Sequence, residues 1–114
     1  MPEGPEVTIV TKQLNKAVQH KTIKDIEIVS GRYLRKEPIG FTDYVDYAIN
    51  YSPQTVIEVN NKGKFIYWVT SSGVIFSTLG MTGTYKTENN KYARVKWSFT
   101  DNSEIYYSVI SINA

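Results

Sequence analysis

The chain has 114 residues, a formal net charge of +2, 41% hydrophobic and 21% charged residues, and no cysteine. That is room for one domain with a real core, in a composition too apolar for a disordered chain. Disulfides, a cysteine nucleophile and cysteine-based zinc fingers are excluded, the lone His20 argues against a histidine-rich metal site, and no apolar run approaches the roughly 20 residues of a membrane span.

The first element in the chain is a helix. Val7, Val10, Leu14, Ala17 and Val18 recur at three- and four-residue steps, with Lys12, Gln13, Asn15 and Lys16 on the other face. Pro5 suits a first helical position, where its missing N–H costs nothing, and Glu6 lies where the helix dipole favours an anion. The helix is expected to end near His20. Thr22 to Val29 then alternates as a strand, broken at Ser30-Gly31. Tyr44, Tyr47, Ala48 and Tyr51 stand at helical spacing and predict a short helix near 43–51, stopped by Ser52-Pro53.

The remainder reads as strands at Thr55–Val59, Lys64–Thr70, Val74–Leu79, Gly83–Lys86, Tyr92–Phe99 and Glu104–Ser108. The breaks are Asn60-Asn61-Lys62-Gly63, Ser71-Ser72-Gly73, Glu88-Asn89-Asn90 and Asp101-Asn102-Ser103. The expected fold is mainly β (α+β): a two-layered β-sandwich or flattened barrel with a long N-terminal helix and one short helix, in a single domain over 1–114.

Charge is unevenly spread. Residues 60–99 hold Lys62, Lys64, Lys86, Lys91, Arg94 and Lys96 against Glu88 alone. Phe65, Tyr67, Trp68, Tyr85, Tyr92 and Trp97 are interleaved with them. Such a stretch suits a polyanion surface, but on charge alone a two-faced sheet whose lysines point to solvent is the better reading. The N-terminus carries Glu3 and Glu6 without a basic region, so it is not a secretory signal, and the expected address is cytoplasmic or nuclear.

The start, Met-Pro-Glu-Gly-Pro-Glu, carries chemistry. Methionine before proline is normally removed, leaving Pro2 as a secondary amine with a pKa near the α-amino value of about 8. Such an amine can attack C1′ of a sugar and form an iminium, with Glu3 placed to deliver a proton. A plain helix start accounts for Pro5 and Glu6 but not for a motif that begins at residue 2.

Pro2-Glu3-Gly4-Pro5-Glu6-Val7 resembles the opening of the formamidopyrimidine-DNA glycosylase and endonuclease VIII family. Three further segments resemble the family's motifs in order: Ser30-Gly31-Arg32-Tyr33, Asn61-Lys62-Gly63-Lys64-Phe65 and Leu79-Gly80-Met81-Thr82-Gly83. The resemblance implies a bifunctional base-excision repair enzyme that removes oxidised bases and cleaves the strand by β-elimination. It implies that Pro2 is the Schiff-base nucleophile, Glu3 the acid, and Lys64 the lysine at the phosphate beside the lesion, with Lys62 as a nearby competitor. Met81 is implied as the wedge that fills the gap left by a flipped nucleotide, against a core methionine. Arg32 is a phosphate contact or an ordinary surface arginine. The implied partner is damaged or abasic DNA; no cofactor, metal or membrane is implied.

Two departures qualify this. Thr78 stands where many members carry histidine. After Tyr106-Tyr107-Ser108 the family's Asp-x-Arg-x-Phe-Gly loop does not follow, and neither do the helix-two-turn-helix module and the C-terminal finger. The chain is expected to be an N-terminal catalytic domain that stops early, its missing half supplied by a partner chain or not at all. The alternative is a weak or inactive remnant with residual DNA binding.

Overall fold

The structure is a computed structural model that describes residues 4–50, 52–79 and 83–109. Helix α1 (Gly4–Val18) is followed by strand β1 (Thr22–Ile28), a single 3-10 turn at Arg32–Leu34, and helix α2 (Phe41–Tyr44), which widens into a π-helical turn over Val45–Ile49. Six strands complete the chain: β2 (Gln54–Lys62), β3 (Phe65–Thr70), β4 (Gly73–Thr78), β5 (Gly83–Lys86), β6 (Ala93–Phe99) and β7 (Glu104–Val109).

The strands form one antiparallel series in the order β4-β3-β2-β1-β6-β7-β5. β1 and β2 pair only through Thr22–Thr55 and Ile23–Gln54, and the series folds over at that short seam. One layer is then β2-β3-β4 and the other β1-β6-β7-β5. Trp68 of β3 lies flat on Trp97 of β6 across the layers, with ring centroids 4.9 Å apart and planes 4° apart. Tyr85 lies tilted at 54° to both indoles and meets Tyr107 edge-on. At the two ends of the series, the hydroxyls of Ser77 on β4 and Tyr85 on β5 are 2.8 Å apart, so the sandwich is almost a closed, flattened barrel.

α1 buries Val7, Thr11, Leu14 and Val18 and leaves Ile9 outside. It lies along β2 and is fastened there by polar side chains. Val59 N–H donates to Asn15 Oδ1 at 2.7 Å, and Gln19 Nε2 donates to the Ile57 carbonyl at 3.1 Å. The helix stops at Val18, and His20 takes a left-handed backbone, φ 70°, from which its N–H reaches the Val56 carbonyl. No helix among the described residues is long and apolar enough to cross a membrane.

The fold class stands as expected, with local corrections. β2 runs on through Asn60, Asn61 and Lys62, which read as a break in the sequence, because that polar stretch pairs with Phe65–Tyr67 of β3. The hairpin is therefore closed by two residues only, Gly63 and Lys64, with Gly63 at φ +58°. Lys64 is a turn residue rather than the first residue of a strand. The second helix begins two residues early, at Phe41, and lies against the far end of β3, where the Tyr44 and Thr70 hydroxyls are 2.6 Å apart. Tyr51 lies outside the described residues.

Candidate nucleic-acid interface

Antiparallel register decides which loops share an end of the sandwich. Lys62 pairs with Phe65, and Phe65 with Thr78. Gly83 pairs with Val109, and Ala93 with Ser108. Ile28 pairs with Val95, and Val29 N–H donates to the Arg94 carbonyl. One end thus collects the Gly63-Lys64 turn, the Leu79–Gly83 connection, the start of β6 and the Ser30–Arg32 loop. The start of α1 joins them: a Cβ on Gly4 would lie 4.0 Å from Gly63 Cα.

Asn61 ties the helix start to the turn. Its Nδ2 donates to Thr8 Oγ1 at 3.0 Å and to the Gly63 carbonyl at 2.9 Å, while Thr8 Oγ1 donates to the Gly4 carbonyl at 3.0 Å. Neither Asn61 nor Thr8 was assigned a role from the sequence. The signal that could have found them is a polar pair one turn inside the helix and one residue before a basic turn, but only the fold makes them neighbours.

Leu79 and Gly83 are held together by hydrogen bonds. The Leu79 carbonyl accepts from Gly83 N–H at 2.8 Å and from the Tyr107 hydroxyl at 2.9 Å. Any Cβ on Gly83 would stand 2.1 Å from that carbonyl oxygen and 2.3 Å from the Tyr107 oxygen, so only glycine fits. Gly31 is similarly confined, at φ +88°, with its open side filled by the Arg94 side chain. Arg94 Nη1 donates to Ser30 Oγ at 2.8 Å, and Ser30 Oγ donates to the Ala93 carbonyl.

Burial pushes the Tyr107 phenol above its ordinary range; neighbouring Tyr33 adds to this, and Arg32 and Arg94 oppose it. Arg32 is exposed, with its guanidinium 5.2 Å over the Tyr33 ring, and the hydrogen bond to the Tyr33 hydroxyl raises its own pKa. Lys62 and Lys64 are both exposed. Of the sequence candidates, the fold brings Lys62, Lys64 and Arg32 to one end. Pro2, Glu3 and Met81 lie outside the described residues; the described residues Gly4, Leu79 and Gly83 are at that same end.

The interleaved basic and aromatic stretch is divided by the fold. Trp68 and Trp97 are buried, and Tyr85 packs on both of them. Lys96 sits between Glu27 at 3.3 Å and Glu104 at 3.7 Å, which raises its pKa and removes it from the supply of unpaired cations. Lys86 pairs with Tyr106, at the opposite end from Gly63.

The sequence profile of the formamidopyrimidine-DNA glycosylase N-terminal domain matches residues 1–109. The chain belongs to that family. Formamidopyrimidine-DNA glycosylases similar to it include those of Shouchella clausii, 34% identical over 113 residues, and Mycoplasma mobile, 32% identical over 113 residues. The matches cover 95% and 94% of this chain, and 40% and 39% of the two relatives, so the chain spans about two fifths of their length. Among solved glycosylase structures, MutM in complex with carbocyclic 8-oxo-G containing DNA superposes with a TM-score of 0.78 at 22% identity, over 96% of this chain and 41% of that one. The Lactococcus lactis formamidopyrimidine-DNA glycosylase bound to DNA with an AP site gives a TM-score of 0.77 at 19% identity, over the same shares. These likenesses establish the sandwich and its helix as the glycosylase N-terminal fold.

Proposed function

We propose that this chain is the nucleophile-bearing domain of a base-excision DNA glycosylase and AP lyase. The observation that carries this reading is the convergence at one end of the sandwich of the α1 start, the Gly63-Lys64 turn and the connection from Leu79 to Gly83. In the proposed reaction the Pro2 amine attacks C1′ of the damaged nucleotide. The C1′–N bond breaks and the ring opens to an iminium; of the two protons needed, on the leaving base and on O4′, Glu3 delivers one and the amine N–H, lost on attack, supplies the other. Loss of a C2′ proton then expels the 3′ phosphate, and water releases the amine. Lys64, as a compact cation on a two-residue turn, holds the phosphate beside the lesion. Met81 fills the gap left in the base stack.

The partner that this chemistry suits is abasic or base-damaged DNA. Cations at this end include Lys62, Lys64, Arg32 and Arg94. If about three of them meet phosphates of a single strand, the log–log salt slope is near −2, at roughly −0.7 per contact.

Borohydride trapping on an abasic oligonucleotide tests the reading. The chain with Met1 removed, verified by mass spectrometry, is expected to give a covalent adduct, and a chain with a blocked N-terminus none. Lys64→Ala is expected to slow trapping and to weaken binding together. Equal trapping by the blocked chain makes a lysine the nucleophile. Salt-dependent binding without any adduct leaves a DNA-binding domain only.

A further inference from the structure

The outer face of β3 and β4 exposes aromatic rings that the glycosylase chemistry does not use. Three cross-strand rows lie on it: Lys62–Phe65–Thr78, Asn60–Tyr67–Phe76 and Glu58–Val69–Val74. Phe65 is 62% exposed and Phe76 73%, while Tyr67 is half-buried between them. Two such rings on one open sheet face are unusual, since large apolar side chains left in water signal a contact surface more often than chance.

The character of the rim narrows the occupant. The row nearest the Gly63-Lys64 turn begins with the exposed cation Lys62, which makes no ion pair among the described residues. The middle row offers an exposed Asn60 amide beside the Tyr67 ring. The far row carries Glu58, which repels phosphate and so limits the platform to the first two rows. Positive charge, planar rings and an amide in sequence from the candidate site outward fit a polynucleotide strand leaving that site. Phe65 and Phe76 are diagonal neighbours on adjacent strands, about 7–8 Å apart, roughly twice the 3.4 Å rise of stacked duplex bases, so the face suits an opened strand rather than a duplex. We propose that this face is a base-stacking platform for single-stranded DNA, on which Phe65 and Phe76 each hold one base and Lys62 holds a phosphate. The proposal rests on the DNA reading above and extends it to undamaged strand beside the lesion.

The test uses the full chain and an undamaged oligothymidylate, with binding followed by fluorescence anisotropy over a range of salt. Phe65→Ala combined with Phe76→Ala is expected to weaken binding at least about tenfold and leave the salt slope unchanged, since no phosphate contact is lost. Phe65→Leu combined with Phe76→Leu keeps the apolar surface and loses the rings; it is expected to bind nearly as weakly. Lys62→Ala is expected to make the slope shallower by about 0.7. Both rings are exposed, and circular dichroism is expected to show the wild-type fold in every variant. Wild-type affinity in the alanine variant, or rescue by leucine, overturns the platform while abasic-site trapping by the wild type leaves the glycosylase reading intact. A dimer seen in sedimentation that the alanine variant abolishes, with DNA binding unchanged, assigns the face to a second copy and likewise overturns the platform. A wild-type chain with neither salt-dependent binding nor trapping overturns both.

Discussion

The two faces of β3 carry similar side chains and meet opposite fates. Ile66, Trp68 and Thr70 point inward and are almost wholly buried, whereas Phe65, Tyr67 and Val69 point outward and keep part of their surface in water. Trp68 has a partner on the other layer, Trp97, and a ring of further contacts from Tyr85. Phe65 and Phe76 stay exposed, beside Thr78 and Tyr67 across the strands. Apolar character alone therefore does not assign a residue to the core; the facing layer does. The inward set supplies stability, and the outward set is available for binding.

Trp68→Ala tests the inward side hardest. It removes the side chain that joins the layers and leaves a cavity, at a cost of about 3–5 kcal/mol. That is a large share of the 5–15 kcal/mol typical of a domain, so urea denaturation is expected to find the variant largely unfolded or with a much lower midpoint. If it loses less than about 1 kcal/mol, the inward and outward faces are energetically alike and the comparison fails.

Gly83→Ala comes next. The added methyl must displace the Leu79 carbonyl or the Tyr107 hydroxyl, which breaks the hydrogen bonds that pin the connection to the inner aromatic cluster. A loss of roughly 2–4 kcal/mol is expected in the same measurement. The damage is also expected to reach DNA binding, because the connection issues at the candidate interface.

The inner cluster also has a pH signature. Burial pushes the Tyr85 phenol up to about 12, an effect partly offset by its hydrogen bond with Ser77. The unfolded phenol titrates near 10, so the folded state resists ionisation. The stabilisation is complete below pH 10 and is lost as pH rises through 10 towards 12, because the unfolded chain gives up its proton first. Thermal melts are expected to show a falling Tm over that window. Tyr85→Phe is expected to flatten this alkaline limb, at the cost of the Ser77 hydrogen bond.

The smallest effect is expected outside. Phe65→Ala and Phe76→Ala are each expected to change stability by no more than about 0.5 kcal/mol, since neither leaves a cavity. Replacement by lysine is expected to be tolerated at both positions and to unfold the chain at Trp68. A loss of more than 2 kcal/mol at Phe76 would place that ring in the core.

Local pattern was enough for much of this protein. The spacing of Val7, Val10, Leu14, Ala17 and Val18 specified a helix, although Ala17 is exposed and Thr11 takes a buried place in the stripe, and the alternation and turn residues after Thr22 specified strands in nearly the right places. Lys62, Lys64 and Arg32 stood out because the short segments that hold them resemble the family's motifs in order, and such motifs are local. The tertiary structure alone decided the rest. A period of two assigns β3 two faces but does not say which is covered when Phe65-Ile66-Tyr67-Trp68-Val69 is apolar throughout; the arrival of β6 over Trp68 decides it. Lys96 looked like one more cation on a basic stretch until register set beside it Glu27, from a strand distant in the chain, and Glu104, from across the β6-β7 hairpin. Asn60-Asn61-Lys62 looked like a loop because its polarity is local, whereas the ladder that makes it strand comes from β3. Burial, and pairing beyond a hairpin, are properties of contacts between remote segments, which no window of neighbouring residues contains.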